Sequence, residues 1–141
     1  MFDSLLLAVD INDPQGALRS TQAAVAMATH QKAELHILNV VPDDGMAIVS
    51  SSLSADHNAE AVDQSRANLE AWAKEHIPQG ITTKLHVARG TVYDQIIKKA
   101  GEYGVQGIVV GAHSPALKDY LLGSNAARVA RHANQSVFVI R

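Results

Sequence analysis

The chain has 141 residues, with 12 basic and 14 acidic side chains for a formal charge of −2 at neutral pH, and no cysteine. That length suits one domain over 1–141 with a core large enough to need no staples, and the lack of cysteine rules out a disulfide framework or a thiolate metal site. No cluster of Lys or Arg could track a phosphate backbone, so nucleic acid is not an expected partner.

Phe2 to Val9 is a near-continuous Leu/Ala/Val run, the pattern of a parallel strand covered on both faces. Asp10-Ile-Asn-Asp-Pro14 breaks it. Asn12 and Asp13 are capping residues and Pro14 suits a first helical turn, so a helix follows to about His30 on a stripe of Ala17, Leu18, Thr21, Ala24, Val25 and Ala28. Ala33 to Val41 is the second strand, stopped by Pro42. From Pro42 to Ser54 the chain reads as a mobile loop whose apolar patch is Met46 to Val49. The next helix is expected from Ala55 to His76, facing inward through Val62, Leu69, Trp72 and Ala73.

Ile81 to Ala88 alternates and carries Lys84 and His86, which suits an edge strand. Arg89-Gly90 is read as a turn. Thr91 or Asp94 supports the start of a helix with the stripe Val92, Ile96, Ile97, Ala100 and Tyr103, and Gly104 closes it. Gln106 to Val110 is the fourth strand, Ala126 to His132 a short helix, and Ser136 to Arg141 the fifth strand. Strict alternation of strands and helices implies an α/β fold, a doubly wound five-stranded parallel sheet with helices on both faces. Ligands in such sheets sit beyond the carboxyl ends of the strands where strand order reverses. If the first and fourth strands are neighbours, Ala8 to Asp10 faces Gly111 to Ser114 across that crevice.

The stretch between the fourth strand and the last helix, Gly111-Ala-His-Ser-Pro to Gly123-Ser124-Asn125, carries the chemistry. Glycine at a strand end permits close approach, and a helix beginning at Gly123-Ser124 offers unpaired amides and a hydroxyl to an anion. Two readings stay open for these residues: a phosphate seat, or a turn in which Ser124 or Asn125 caps its own helix. Asp10 is equally open to a site role or to capping its own loop. The seven histidines show no ligand-like pair on one helix face and read as surface or packing residues. A P-loop is excluded because no Gly-Lys occurs, and a dinucleotide fingerprint because Asp-Ile-Asn-Asp-Pro follows the first strand. A phosphoacceptor receiver would need an aspartate where Val87-Ala-Arg-Gly90 stands.

Gly111-x-x-Ser114-x(8)-Gly123-Ser124, with Ala-His-Ser-Pro, Tyr-Leu-Leu-Gly-Ser-Asn-Ala-Ala and Arg-His-Ala around it, resembles the universal stress protein family, and within it the F-type bacterial subgroup. The resemblance covers the whole chain. It departs at two points, since Ser114 stands for the family's middle glycine and the following spacing is one residue short. The resemblance implies bound ATP, with Mg²⁺ carried by the phosphates. Ala8 and Val40 would meet the base, and Asp10 the ribose or the phosphate-bound metal. Gly111, His113 and Ser114 would wrap the ribose and α-phosphate, and Gly123, Ser124 and Asn125 the β- and γ-phosphates. Arg89-Gly90 lies where the family loop after strand three approaches.

The expected function is a nucleotide-dependent stress or regulatory factor, since no residue is an evident activated nucleophile with an orienting base. Its rivals are a slow ATP hydrolase or autophosphorylating enzyme, acting on Ser114 or Ser124, and a scaffold that binds no nucleotide. Val137 to Ile140 would be an exposed apolar edge if unpaired. Family members commonly pair this strand about a two-fold axis, which implies a homodimer or a tetramer. No apolar run approaches the roughly 20 residues that span a bilayer, and the first ten lack the basic flank of a signal peptide, so a cytoplasmic protein is expected.

Overall fold

Three consecutive leucines, Leu5, Leu6 and Leu7, are fully buried at the centre of the sheet in the computed structural model, which describes residues 1–42, 51–112 and 123–141. They lie in β1 (Ser4–Val9), where alternate side chains point to opposite faces. Burial of all three requires helices above and below. β1 pairs in parallel with β2 (Glu34–Pro42) through Leu5 opposite Leu35 and Leu7 opposite Ile37. On its other side it pairs with β4 (Gly107–Gly111) through Leu7 opposite Val109. With β3 (Thr83–Gly90) and β5 (Ser136–Ile140) at the edges, the five strands run in the order β3-β2-β1-β4-β5.

The chain moves outward from β1 to β3, then returns across the sheet to β4 and β5. Keeping one hand of crossover in both directions places the first two helices on one face and the last two on the other. The two cores follow this division. Leu5, Leu7, Ile37 and Val109 pack with Ala17, Ala24 and Ala28 of α1 (Pro14–Gln31) and with Leu69, Trp72 and Ala73 of α2 (Ser51–His76). Leu6, Leu38, Ile108 and Val110 pack with Ile96 and Ala100 of α3 (Val92–Tyr103) and with Ala126 and Val129 of α4 (Ser124–His132).

Several expected boundaries move. α2 begins at Ser51 rather than Ala55, since neither glycine nor proline stands between 51 and 55 to interrupt a helix. Most of the expected loop, including Met46 to Val49, falls in residues 43–50, outside the described residues. Arg89-Gly90 is not a turn: Arg89 pairs with Val41 and Gly90 with Pro42, so β2 and β3 both run further than their breakers suggest. Gly90 does so at a positive φ of 139°, which glycine adopts without the Cβ penalty. Leu18 leaves the buried stripe of α1 and is 40% exposed. The helix turns Ala17, Ser20, Thr21, Ala24 and Ala28 inward instead. These small side chains let α1 lie close over the sheet, and Ser20 and Thr21 satisfy their hydroxyls on the Ala17 carbonyl at 3.1 and 2.6 Å.

Candidate functional site

Connections leave β1 and β4 in opposite directions, so the point between their carboxyl ends is left uncovered by either crossover. A cleft of about 230 Å³ lies there. The expected residues Ala8, Asp10, Val40, Gly111 and Asn125 all line it. Gly123 and Ser124 are not in the lining and sit immediately before Asn125, at the start of α4. His113 and Ser114 lie outside the described residues. Arg89 and Gly90 are not among the lining residues.

The cleft has an apolar slot and a polar rim. Ala8, Leu38, Val40 and Val110 come from strand ends, and Val92 and Ile96 come from the first turns of α3. The rim is built by the loop from β1 to α1. Asp10 accepts the Asn12 amide at 3.0 Å through Oδ1, and its carbonyl accepts the Asp13 amide at 3.0 Å. Thus the capping reading of Asp10 holds for one carboxylate oxygen while the residue still borders the cleft. Asp13 is the N-cap of α1, accepting the Gly16 amide at 3.2 Å, and Pro14 opens the helix.

The start of α4 is held over the strand ends by the chain on both sides of residues 113–122. The Gly123 amide donates to the Ala112 carbonyl at 2.7 Å, and the Ala112 amide donates to Ile140 at 2.7 Å. Gly123 is the N-cap, so of the two open readings the one in which Ser124 or Asn125 caps the helix does not hold; both lie inside it. The first bond closing the helix runs from the Ala127 amide to the Gly123 carbonyl at 2.9 Å. The amides of Ser124, Asn125 and Ala126 precede that bond, and a glycine cap has no side chain to offer them. With about half a positive charge from the helix dipole behind them, these donors suit an anionic oxygen. Arg128, one turn further on, lies over the Tyr93 ring at 4.8 Å and ties α4 to the start of α3.

Among the described residues the lining holds Asp10 and Asp13 and neither lysine nor arginine. No group of three or more His, Cys, Asp or Glu among the described residues could hold a metal by itself. Carboxylate and amide oxygens are nevertheless the hard donors that Mg²⁺ takes when most of its shell is water and phosphate. Sequence reasoning missed Asn12, Asp13, Gly16 and Ser20. For Asn12 and Asp13 the signal was present in the polar turn after β1, which any switch-point cleft must border, whereas Gly16 and Ser20 reach the cleft from the first turns of α1. Gly111 is less constrained than expected on its α1 side, where an added Cβ would meet the Gly16 carbonyl at 3.7 Å and Ser20 Oγ at 3.9 Å, both ordinary contacts.

An open parallel sheet with a cleft at its switch point defines a small α/β fold of the doubly wound class. The chain belongs to the Universal stress protein family, whose model matches residues 1–141. It is 30% identical over 149 residues to Universal stress protein G of Shigella flexneri, with both chains covered completely. Its fold is shared by the universal stress protein UspA of Lactobacillus plantarum, at a TM-score of 0.80 and 23% identity over 100% of this chain and 99% of that one. Two more distant neighbours were solved with adenine nucleotides. One is a universal stress protein in complex with cAMP, at a TM-score of 0.64 and 20% identity over 99% and 97% of the two chains. The other is the Archaeoglobus fulgidus protein in complex with dAMP, at a TM-score of 0.60 and 18% identity over 98% and 97%. Among the described residues, no helix is long and apolar enough to cross a membrane.

Proposed function

We propose that the cleft binds an adenine nucleotide, ATP with Mg²⁺ in particular, and that the protein acts as a nucleotide-dependent stress or regulatory factor. The observation that carries this reading is the glycine-capped start of α4, pinned by its Gly123 bond to Ala112 beside an apolar slot. In the proposed complex Ala8 and Val40 flank the base, and Asp10 meets the ribose or a metal carried by the phosphates. Gly111, His113 and Ser114 surround the ribose and α-phosphate. The amides and hydroxyl at Gly123, Ser124 and Asn125 take the outer phosphates.

A binding role fits better than an enzymatic one. The buried hydroxyl in the described lining, Ser20, already donates to Ala17, and no histidine stands beside it in that lining to act as a base. Unfolding midpoints of nucleotide-stripped protein with millimolar Mg-ATP, AMP, cAMP and GTP test the reading. A rise confined to adenine nucleotides supports it, and no rise with any of them refutes it. Following bound ATP for hours separates sensor from hydrolase, since a sensor leaves it intact. We further propose a homodimer formed through the open side of β5, whose Val137 to Ile140 are only half-buried. A monomer mass by light scattering at micromolar concentration would overturn that assembly.

A further inference from the structure

Away from the cleft, under the C-terminal end of α3, two histidines meet across β2 and β3. His36 is only 5% exposed. Its Nδ1 lies 2.9 Å from Nε2 of His86, and its Nε2 lies 2.7 Å from Oε1 of Glu34. Tyr103 covers both rings, stacked at 4.0 Å on His86 and 5.1 Å on His36. The surrounding charges come from three more directions. On β3, Lys84 approaches Glu34 at 3.5 Å; on α3, Lys99 and Glu102 pair at 3.0 Å; and Arg66 of α2 adds positive charge felt by His86.

Donor and acceptor counting limits how many protons this row can hold. The Glu34 carboxylate only accepts, so Nε2 of His36 must donate. The contact between the two rings then needs one proton and one lone pair. With both rings neutral, His86 donates to His36. One added proton can be accommodated with both bonds kept, one hydrogen between His36 Nε2 and Glu34 and one between the two facing ring nitrogens. Both states keep the two bonds of the row, His36 Nε2 to Glu34 and His36 Nδ1 to His86 Nε2. A second added proton puts hydrogens on both facing nitrogens at 2.9 Å, so the bond is lost and two like charges stand under one tyrosine ring.

We propose that Glu34, His36 and His86 form a proton-operated latch, which holds edge strand β3 and the end of α3 onto β2 and opens when acidification adds the second proton. Burial first, then the charges of His36, Arg66, Lys84 and Lys99, lower the His86 pKa below its ordinary 6.5. The sign follows from that depression. Stability from the latch is fully present above about pH 6.5 and is lost as pH falls through the folded pKa of His86. Tyr103 stays neutral throughout, since burial raises its pKa. Opening would be felt in the cleft, because Leu38 and Val40 follow His36 on β2. Val92, Ile96, Ala100 and Tyr103 likewise form one helical stripe from cleft to latch. The latch itself does not depend on what the cleft binds.

His86→Phe tests it, keeping a ring against Tyr103 and removing the proton site. Between about pH 7.5 and about pH 5, the span in which histidine changes charge, the wild-type unfolding midpoint should fall further than that of H86F. The exposed histidines are common to both and cancel in the difference. Amides of β3, corrected for intrinsic exchange, should lose about tenfold protection for each pKa unit by which His86 is depressed, with β1 and β4 unchanged. Parallel acid losses in wild type and H86F overturn the latch. If H86F does not fold, ring-nitrogen NMR of the wild type decides. Two separated steps, with β3 protection lost at the second, support it; one common step or unchanged β3 protection refutes it.

Discussion

Replacing Gly123 by serine should move stability and ligand affinity in opposite directions. Gly123 has φ −59° and ψ 146°, a conformation open to any residue, so the substitution carries no backbone strain. A serine there is a better N-cap than glycine by a few tenths of a kcal/mol, which should leave the apo protein equal or slightly more stable. Its hydroxyl achieves this by accepting from Asn125 or Ala126, whose amides precede the first bond closing the helix. A phosphate oxygen then has to displace it. Losing one amide bond to a charged oxygen costs about 1.5–3 kcal/mol, or roughly ten- to a hundredfold in affinity. At a Mg-ATP concentration of about a hundred times the native Kd, the native protein gains about 2.7 kcal/mol, whereas a variant weakened about thirtyfold gains only about 0.9 kcal/mol. Thermal unfolding with and without nucleotide reads the gain, and calorimetric titration reads the affinity. Gly123→Ala is the control, since it brings the same Cβ without an acceptor and lowers helix stability by about 1 kcal/mol relative to a good cap. If G123S binds Mg-ATP as tightly as the native chain, or if G123S and G123A lose affinity equally, the open amides are not the phosphate seat.

Asp13→Ala removes the cap of α1 and should cost about 1 kcal/mol, a fall of a few degrees in midpoint, read by thermal unfolding. Leu6→Ala empties a fully buried position at the sheet centre and should cost about 2–5 kcal/mol in denaturant unfolding, with an unchanged m-value. Gly107→Ala drives a Cβ to 2.8 Å from Leu5 Cδ2 and 3.3 Å from both Phe2 and Phe138, so about 1–3 kcal/mol of overpacking is expected in the same assay. In ultraviolet titration, the step missing from Tyr103→Phe should be the one lying above the ordinary phenol value of 10, because burial disfavours the Tyr103 phenolate.

Most of the fold was legible because its signals are local. The Leu5-Leu6-Leu7 run required cover on both faces, Asp13-Pro14 marked the start of α1, and Gly104 marked the end of α3, where it takes a φ of 67°. Boundaries went astray where a breaker could be absorbed by a neighbour. Pro42 and Gly90 extend their strands together because each pairs with the other at the open end of β2 and β3. Leu18 was assigned inward with the apolar stripe of α1, yet the close approach of that helix to the sheet selects small side chains.

Chain order and apolar pattern thus determined, by themselves, an alternating α/β fold and a glycine-led helix start after the fourth strand. Local propensity and periodicity depend on residues within a few positions of one another. Only the tertiary structure decided that β1 lies beside β4, which turns Asp10 and Asn125 into neighbours of one cleft. The meeting of His36 with His86 and Tyr103 is likewise invisible in the chain, since it depends on strand register and on where the end of α3 comes to rest. A proton shared between residues 50 positions apart leaves no mark in local composition, because its chemistry is created by the packing that brings the rings together.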